Sequence, residues 1–212
     1  MKASYLLLTF APFIFAADSS VPEIQDGFEQ VTCGSTLKLT NKANNYKLHS
    51  HGVTYGSGSG QQSVTGFPNA DDGNSFWIVE AASGKVCSRG EPIPCGSAVR
   101  LKHANTQGYL HSHLHQSPLS RQQEVSCYDG KDSGDNWKVE CLNSGDKVWH
   151  REQPVQFVHE DTYAYLSSNS NHQFGQPIPG QLEVAASRSA SKNTQWMAQE
   201  GIYFAATSTS KY

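Results

Sequence analysis

Leu48-His49-Ser50-His51 and, 62 residues further on, Leu110-His111-Ser112-His113 are the same tetrapeptide. Thr32-Cys33-Gly34-Ser35-Thr36-Leu37-Lys38-Leu39 and Pro94-Cys95-Gly96-Ser97-Ala98-Val99-Arg100-Leu101 match at the same offset, so no gap separates the two correspondences. A fainter third copy places Val155-Gln156-Phe157 with Val99-Arg100-Leu101, and Tyr165-Leu166-Ser167-Ser168 with Tyr109-Leu110-His111-Ser112. Each copy closes on a tryptophan: Trp77, Trp137 and Trp196 stand 60 and 59 residues apart. Self-similarity at a fixed period is the mark of one structural unit repeated. The repeats run over about 27–90, 91–150 and 151–204.

Within each unit the apolar pattern is short and alternating, as in Leu37-Lys38-Leu39 and Val99-Arg100-Leu101, and turn-rich stretches such as Tyr55-Gly56-Ser57-Gly58-Ser59-Gly60 intervene. No window of a dozen residues carries a helical stripe. Three units of about 60 residues favour a closed all-β barrel with pseudo-threefold symmetry over a propeller, whose blades number about four or more at about 40–45 residues each.

The 212 residues carry a formal net charge of -3, which offers no basic footprint for nucleic acid. Lys2, the apolar run from Tyr5 to Phe15 and the small residues Ala16 and Ala17 have the layout of a secretory signal peptide over 1–17, cleaved after Ala16 or Ala17. Pro12 argues against a buried helix there, and no further run approaches the length of a membrane span. The mature unit is then 18–204, with a flexible tail over 205–212. No Asn-x-Ser/Thr sequon occurs, and Thr209-Ser210-Lys211-Tyr212 is not a retention signal of the Lys-Asp-Glu-Leu type. Retention in the endoplasmic reticulum lumen and secretion both remain open.

In that oxidising route the five cysteines acquire meaning. Cys33 and Cys95 open the first two repeats, and Cys87 and Cys141 follow the closing tryptophans. Position therefore favours Cys33–Cys87 and Cys95–Cys141, with Cys127 free, against the competing local pair Cys87–Cys95.

These features together resemble the MIR-domain proteins, and more narrowly the stromal cell-derived factor two family. The Thr-Cys-Gly-Ser opening, the repeated Leu-His-Ser-His, the closing tryptophans and Gly-Ser-Gly-Ser-Gly-Gln-Gln-Ser-Val-Thr-Gly at 56–66 carry the resemblance, which spans about 27–204. It implies a β-trefoil of twelve strands, four per repeat. It also implies a non-enzymatic subunit of a lumenal chaperone complex in folding quality control and the unfolded protein response. The implied partners are a DnaJ-type co-chaperone, a heat-shock chaperone and unfolded clients. The family usually carries a retention signal, and this chain ends differently. The MIR module of protein O-mannosyltransferases makes a glycan-binding, lectin-like module the alternative.

On a strand, Leu48 and Ser50 face one way and His49 and His51 the other, so the histidines are expected on the outer face or in a groove. Two imidazoles two apart suit zinc, and His115 extends the second copy to three, but a catalytic zinc site wants three ligands plus groups that orient them. The third repeat has Ser167 and Asn169 instead. No metal, no cofactor and no catalytic set is assigned, since neither a His-Glu-x-x-His helix nor a nucleophile elbow occurs. The candidate binding residues are His49, His51, His111 and His113, with Tyr55 and Arg121 in adjoining loops. Ricin-type lectins carry Gln two residues before tryptophan; here Ser75, Asp135 and Thr194 stand there. The three closing tryptophans are therefore read as core, and Trp149, outside the pattern, is left free to be exposed.

Overall fold

A computed structural model describes residues 23–207; the signal segment 1–17 and the last residues of the tail lie outside them. Twelve antiparallel strands and three single-turn 3-10 helices make up the regular structure. The strands are β1 (Thr36–Asn41), β2 (Lys47–Thr54), β3 (Gln62–Phe67), β4 (Phe76–Ala81), β5 (Ala98–His103), β6 (Tyr109–Gln116), β7 (Gln123–Tyr128), β8 (Trp137–Cys141), β9 (Pro154–His159), β10 (Tyr165–Gln173), β11 (Leu182–Ser187) and β12 (Trp196–Ile202).

Six of them close a ring. β1 pairs with β4, β4 with β5, β5 with β8, β8 with β9, β9 with β12, and β12 returns to β1. The other six form the hairpins β2–β3, β6–β7 and β10–β11. Their second strands pair with one another, β3 with β7, β7 with β11 and β11 with β3. Closure in both tiers leaves few exposed edges, which is how an all-β chain avoids edge-to-edge association.

The inward-facing residues of the ring fill its interior. Leu37, Leu39, Val79, Leu101, Val139 and Phe157 are buried, together with Leu48, Leu110 and Leu166 from the hairpins. The closing tryptophans join the two tiers. Trp77 Nε1 donates to the Leu48 carbonyl at 2.8 Å, Trp137 Nε1 to Leu110 at 2.9 Å and Trp196 Nε1 to Leu166 at 2.9 Å. All three indoles are buried, so the polar end of each large side chain is satisfied while its rings fill the core.

Trp149 corrects the expectation of an exposed position: it is fully buried. The segment around it is clamped on both sides, with Val31 N donating to the Trp149 carbonyl and Trp149 N to the Ile93 carbonyl, each at 2.8 Å. The indole meets Phe157 edge-on, with ring centres 5.4 Å apart. Ala206 and Thr207, which the sequence assigns to the tail, are hydrogen-bonded to the carbonyls of Gly27 and Gly90 at 3.1 and 2.9 Å.

Disulfides join Cys33 to Cys87 and Cys95 to Cys141, and Cys127 is a buried free thiol. The residues following Cys33 and Cys95 share one local conformation. Gly34 and Gly96 take φ of 84° and 83°, and donate to the carbonyls of Val79 and Val139 at 2.8 and 2.7 Å. In the third unit Glu152 adopts φ 59° and donates to Ala198 at 2.9 Å.

Candidate functional site

The two Leu-His-Ser-His strands place their histidines against the 3-10 turns that precede β4 and β8. Leu48 and Leu110 are inward as alternation requires. The opposite face, however, is covered by those turns, so His49 and His111 are buried rather than displayed. That corrects the expectation of an open histidine surface.

In the first unit, His49 Nδ1 lies 2.6 Å from Asp72 Oδ2 and its ring stacks on Phe67 at 4.8 Å. Asp72 caps the turn Gly73–Ser75, accepting from Asn74 N at 3.2 Å and from Ser75 Oγ at 2.6 Å. Burial pushes His49 below the ordinary imidazole value, against the hydrogen bond and charge of Asp72. The His51 ring sits 5.0 Å from that of His49, and its buried Nε2 has no hydrogen-bond partner.

The second unit is built differently. His111 Nδ1 is 2.8 Å from Oδ1 of Asp135, and both side chains are wholly buried. Asp135 also accepts from the backbone N–H of Asp132 at 3.2 Å, closing a reciprocal capping box with Asp132 around the turn Ser133–Asp135. Asp132, about half exposed, uses Oδ1 to accept from Gly134 N at 2.8 Å and lies 3.5 Å from His111 Nδ1. With Nδ1 of His111 turned to Asp135, its Nε2 faces Nε2 of the exposed His113 in direct contact. The His115 ring is 6.4 Å from that of His113.

Tyr55 is buried too, which removes it from the accessible candidates. Its hydroxyl bridges two hairpins through the carbonyls of Val64 and Val125 at 3.1 and 3.0 Å, and burial pushes the phenol well above its ordinary value. Arg121 is exposed at φ 61°. It lines a cleft of about 440 Å³ with Leu114, His115 and Arg188. Thus the six sequence candidates separate into a buried set (His49, His111, Tyr55), a half-buried His51, and the surface residues His113 and Arg121.

Sequence reading missed the acidic partners Asp72, Asp132 and Asp135. A signal for them exists: a cap residue stands five before each closing tryptophan, in Asp72-Gly-Asn-Ser75, Asp132-Ser-Gly-Asp135 and Ser191-Lys-Asn-Thr194. It is a helix-start signature written over a single turn. His103 and His159 were missed as well. Their Nε2 atoms hold the carbonyls of Asn74 and Gly134 at 2.8 and 3.0 Å, so each ring ties the turn of the preceding unit to the next strand. Asn41 Nδ2 does the same to the Asn193 carbonyl at 2.8 Å.

Comparison with known proteins agrees with this arrangement. The MIR domain model matches residues 47–172. The stromal cell-derived factor 2-like protein of Dictyostelium discoideum is 45% identical over 96% of this chain and 99% of its own length. The crystal structure of the SDF2-like protein from Arabidopsis thaliana superposes with a TM-score of 0.80 at 43% identity, covering 84% of this chain and 98% of that one. The protein O-mannosyltransferase Pmt1-Pmt2 complex of S. cerevisiae, bound to the sugar donor, matches with a TM-score of 0.73 at 27% identity over 86% of this chain and 27% of that chain. The chain carries a MIR domain, and it belongs to the stromal cell-derived factor 2 family.

Proposed function

We propose that this protein is a β-trefoil of three MIR-type repeats that acts in the secretory pathway without catalysing a reaction, as a binding subunit of a lumenal chaperone complex. The strand pairing supports the trefoil reading: a six-stranded ring and three mutually paired hairpins divide the chain at about 27–90, 91–150 and 151–204. Against an enzyme stands the use made of the buried imidazoles, because His49, His103, His111 and His159 all spend ring nitrogens on the fold's own carboxylates, hydroxyls and carbonyls.

The observation that carries the binding reading is the cleft beside Arg121. There the exposed Leu114, at 84% of its full accessibility, stands next to His115, Arg121 and Arg188. Arginine is among the residue types enriched at protein-binding hot spots, and here two arginines border an exposed large apolar side chain. The proposed partners are a DnaJ-type co-chaperone, a heat-shock chaperone and unfolded clients, met through Leu114, Arg121 and His113. Residence in the endoplasmic reticulum lumen or export, and the signal peptide over 1–17, belong to the same proposal. Among the described residues no helix is long and apolar enough to cross a membrane.

The test is capture of a purified lumenal DnaJ-type co-chaperone and heat-shock chaperone by wild type and by the Leu114→Ala/Arg121→Ala double variant. Loss of a true anchor costs about 2 kcal/mol, or roughly 30-fold in affinity. Capture that survives free mannose and falls in the double variant supports the reading; no capture by wild type overturns it. The likeness to the O-mannosyltransferase complex favours a second reading, a glycan-binding module. It would show as specific sugar binding in a glycan array and as loss of capture under sugar competition.

A further inference from the structure

We propose that His111, His113 and Asp132 form a divalent-metal site of the zinc type, with Asp135 as the group that orients it. The ligand atoms of the three residues all lie within 4.8 Å of one another. The sequence supplied His111, His113 and His115 on one strand but no carboxylate beside them; the fold brings one from the cap of the turn before β8. It also supplies what a metal-bound histidine needs behind it, a carboxylate on its other ring nitrogen. Asp135 Oδ1 lies 2.8 Å from His111 Nδ1, which fixes the tautomer and leaves the Nε2 lone pair directed at Nε2 of His113. Two imidazole nitrogens in that position need a proton or a cation between them.

The first unit shows why the second differs. Asp72 receives His49 directly and is further engaged by Ser75, where the second unit has Asp135. Because the buried Asp135 takes the imidazole of His111, Asp132 engages only backbone N–H groups of the turn, and its carboxylate stays about half exposed. Asp132 and His113 are both accessible from solvent, so an ion can reach them without unfolding. A set of two imidazoles and one carboxylate suits a borderline ion such as zinc better than calcium or magnesium, which take mainly oxygen ligands. Zinc needs ligand distances of about 2.0–2.2 Å, which the exposed His113 ring reaches by moving slightly away from His111. The fourth position faces solvent. The ion would pin β6 to the turn Ser133–Asp135, beside the cleft that holds Leu114 and Arg121.

The experiment is titration of zinc sulfate into the untagged protein at neutral pH, read by calorimetry and by the shift in melting temperature. One equivalent should bind with micromolar affinity and raise the melting temperature. His113→Ala and Asp132→Asn should each weaken binding at least tenfold, while His51→Ala should leave it unchanged. His113 is exposed, and asparagine is a competent cap at 132, so both variants should melt within a few degrees of wild type in chelator. No uptake by wild type at micromolar zinc would mean that the two rings share only a proton, and would overturn the proposal. Equal affinity of wild type and both variants would overturn it as well.

Discussion

His103 Nε2 lies 2.8 Å from the carbonyl oxygen of Asn74, and this single contact joins the turn of one unit to the first strand of the next. The same ring accepts from Thr106 N at Nδ1, at 3.2 Å, and packs against Trp77 with ring centres 4.9 Å apart. The neutral ring with its proton on Nε2 satisfies both contacts. Protonation at Nδ1 would set an N–H against the N–H of Thr106 and make the Thr106 hydroxyl, 2.8 Å away, turn from donor to acceptor.

Stability should therefore fall in mild acid. Burial, the largest cause, holds both His103 and His49 below the ordinary imidazole value of 6.5. The unfolded chain then binds more protons than the folded one below 6.5, so stability is complete above that pH and is lost as pH falls from it toward the folded values. Thermal unfolding should show a lower melting temperature at about pH 5.5 than at about pH 7.5. His103→Asn should flatten this slope, because Asn41 makes the same carbonyl contact in another unit. An unchanged slope in that variant would remove His103 from the explanation.

Gly96→Ala should cost about 1 kcal/mol, the penalty for a side chain in the left-handed region. A Cβ at Gly96 meets nothing within 4 Å, so the cost is one of backbone conformation alone. Urea unfolding at unchanged slope checks it, and a neutral result would show that the turn relaxes to negative φ.

Trp137→Phe and Trp149→Phe should separate. The first removes the donor to the Leu110 carbonyl, and a buried carbonyl left without its partner costs about 1–3 kcal/mol beyond the lost packing. The second removes an N–H that is already unpartnered. Equilibrium unfolding should therefore rank Trp137→Phe as the more damaging change, and the reverse order would show that the indole–carbonyl bond contributes little.

The sequence made the closed all-β architecture legible because repetition survives as spacing: the Leu-His-Ser-His offset and the tryptophan interval fall on matching hairpins and matching ring strands. What it hid was the surroundings of the histidines. Strand alternation says which way His49 and His111 point, but not that a three-residue turn covers that face. The covering residues Asp72 and Asp135 lie 23 and 24 positions away, in segments too short to show a period. Trp149 was misjudged for a related reason. Its burial comes from bridges to Val31 and Ile93, neither of which belongs to a named strand.

The cysteines give the last prediction. A peptide map without reduction should contain Cys33–Cys87 and Cys95–Cys141, closing loops with sequence separations of 54 and 46. Loops of this size make each bridge worth about 2–4 kcal/mol, chiefly by restricting the unfolded chain. The Cys95→Ala/Cys141→Ala variant should thus melt well below wild type. Cys127 should behave oppositely. At 4% accessibility, with burial pushing its thiol up to about 11, it should resist iodoacetamide near neutral pH and react only when denaturant opens the fold. Labelling of Cys127 in the native protein would place it at a surface the fold does not provide. A Cys87–Cys95 peptide would break the correspondence between the bridges and the first two units.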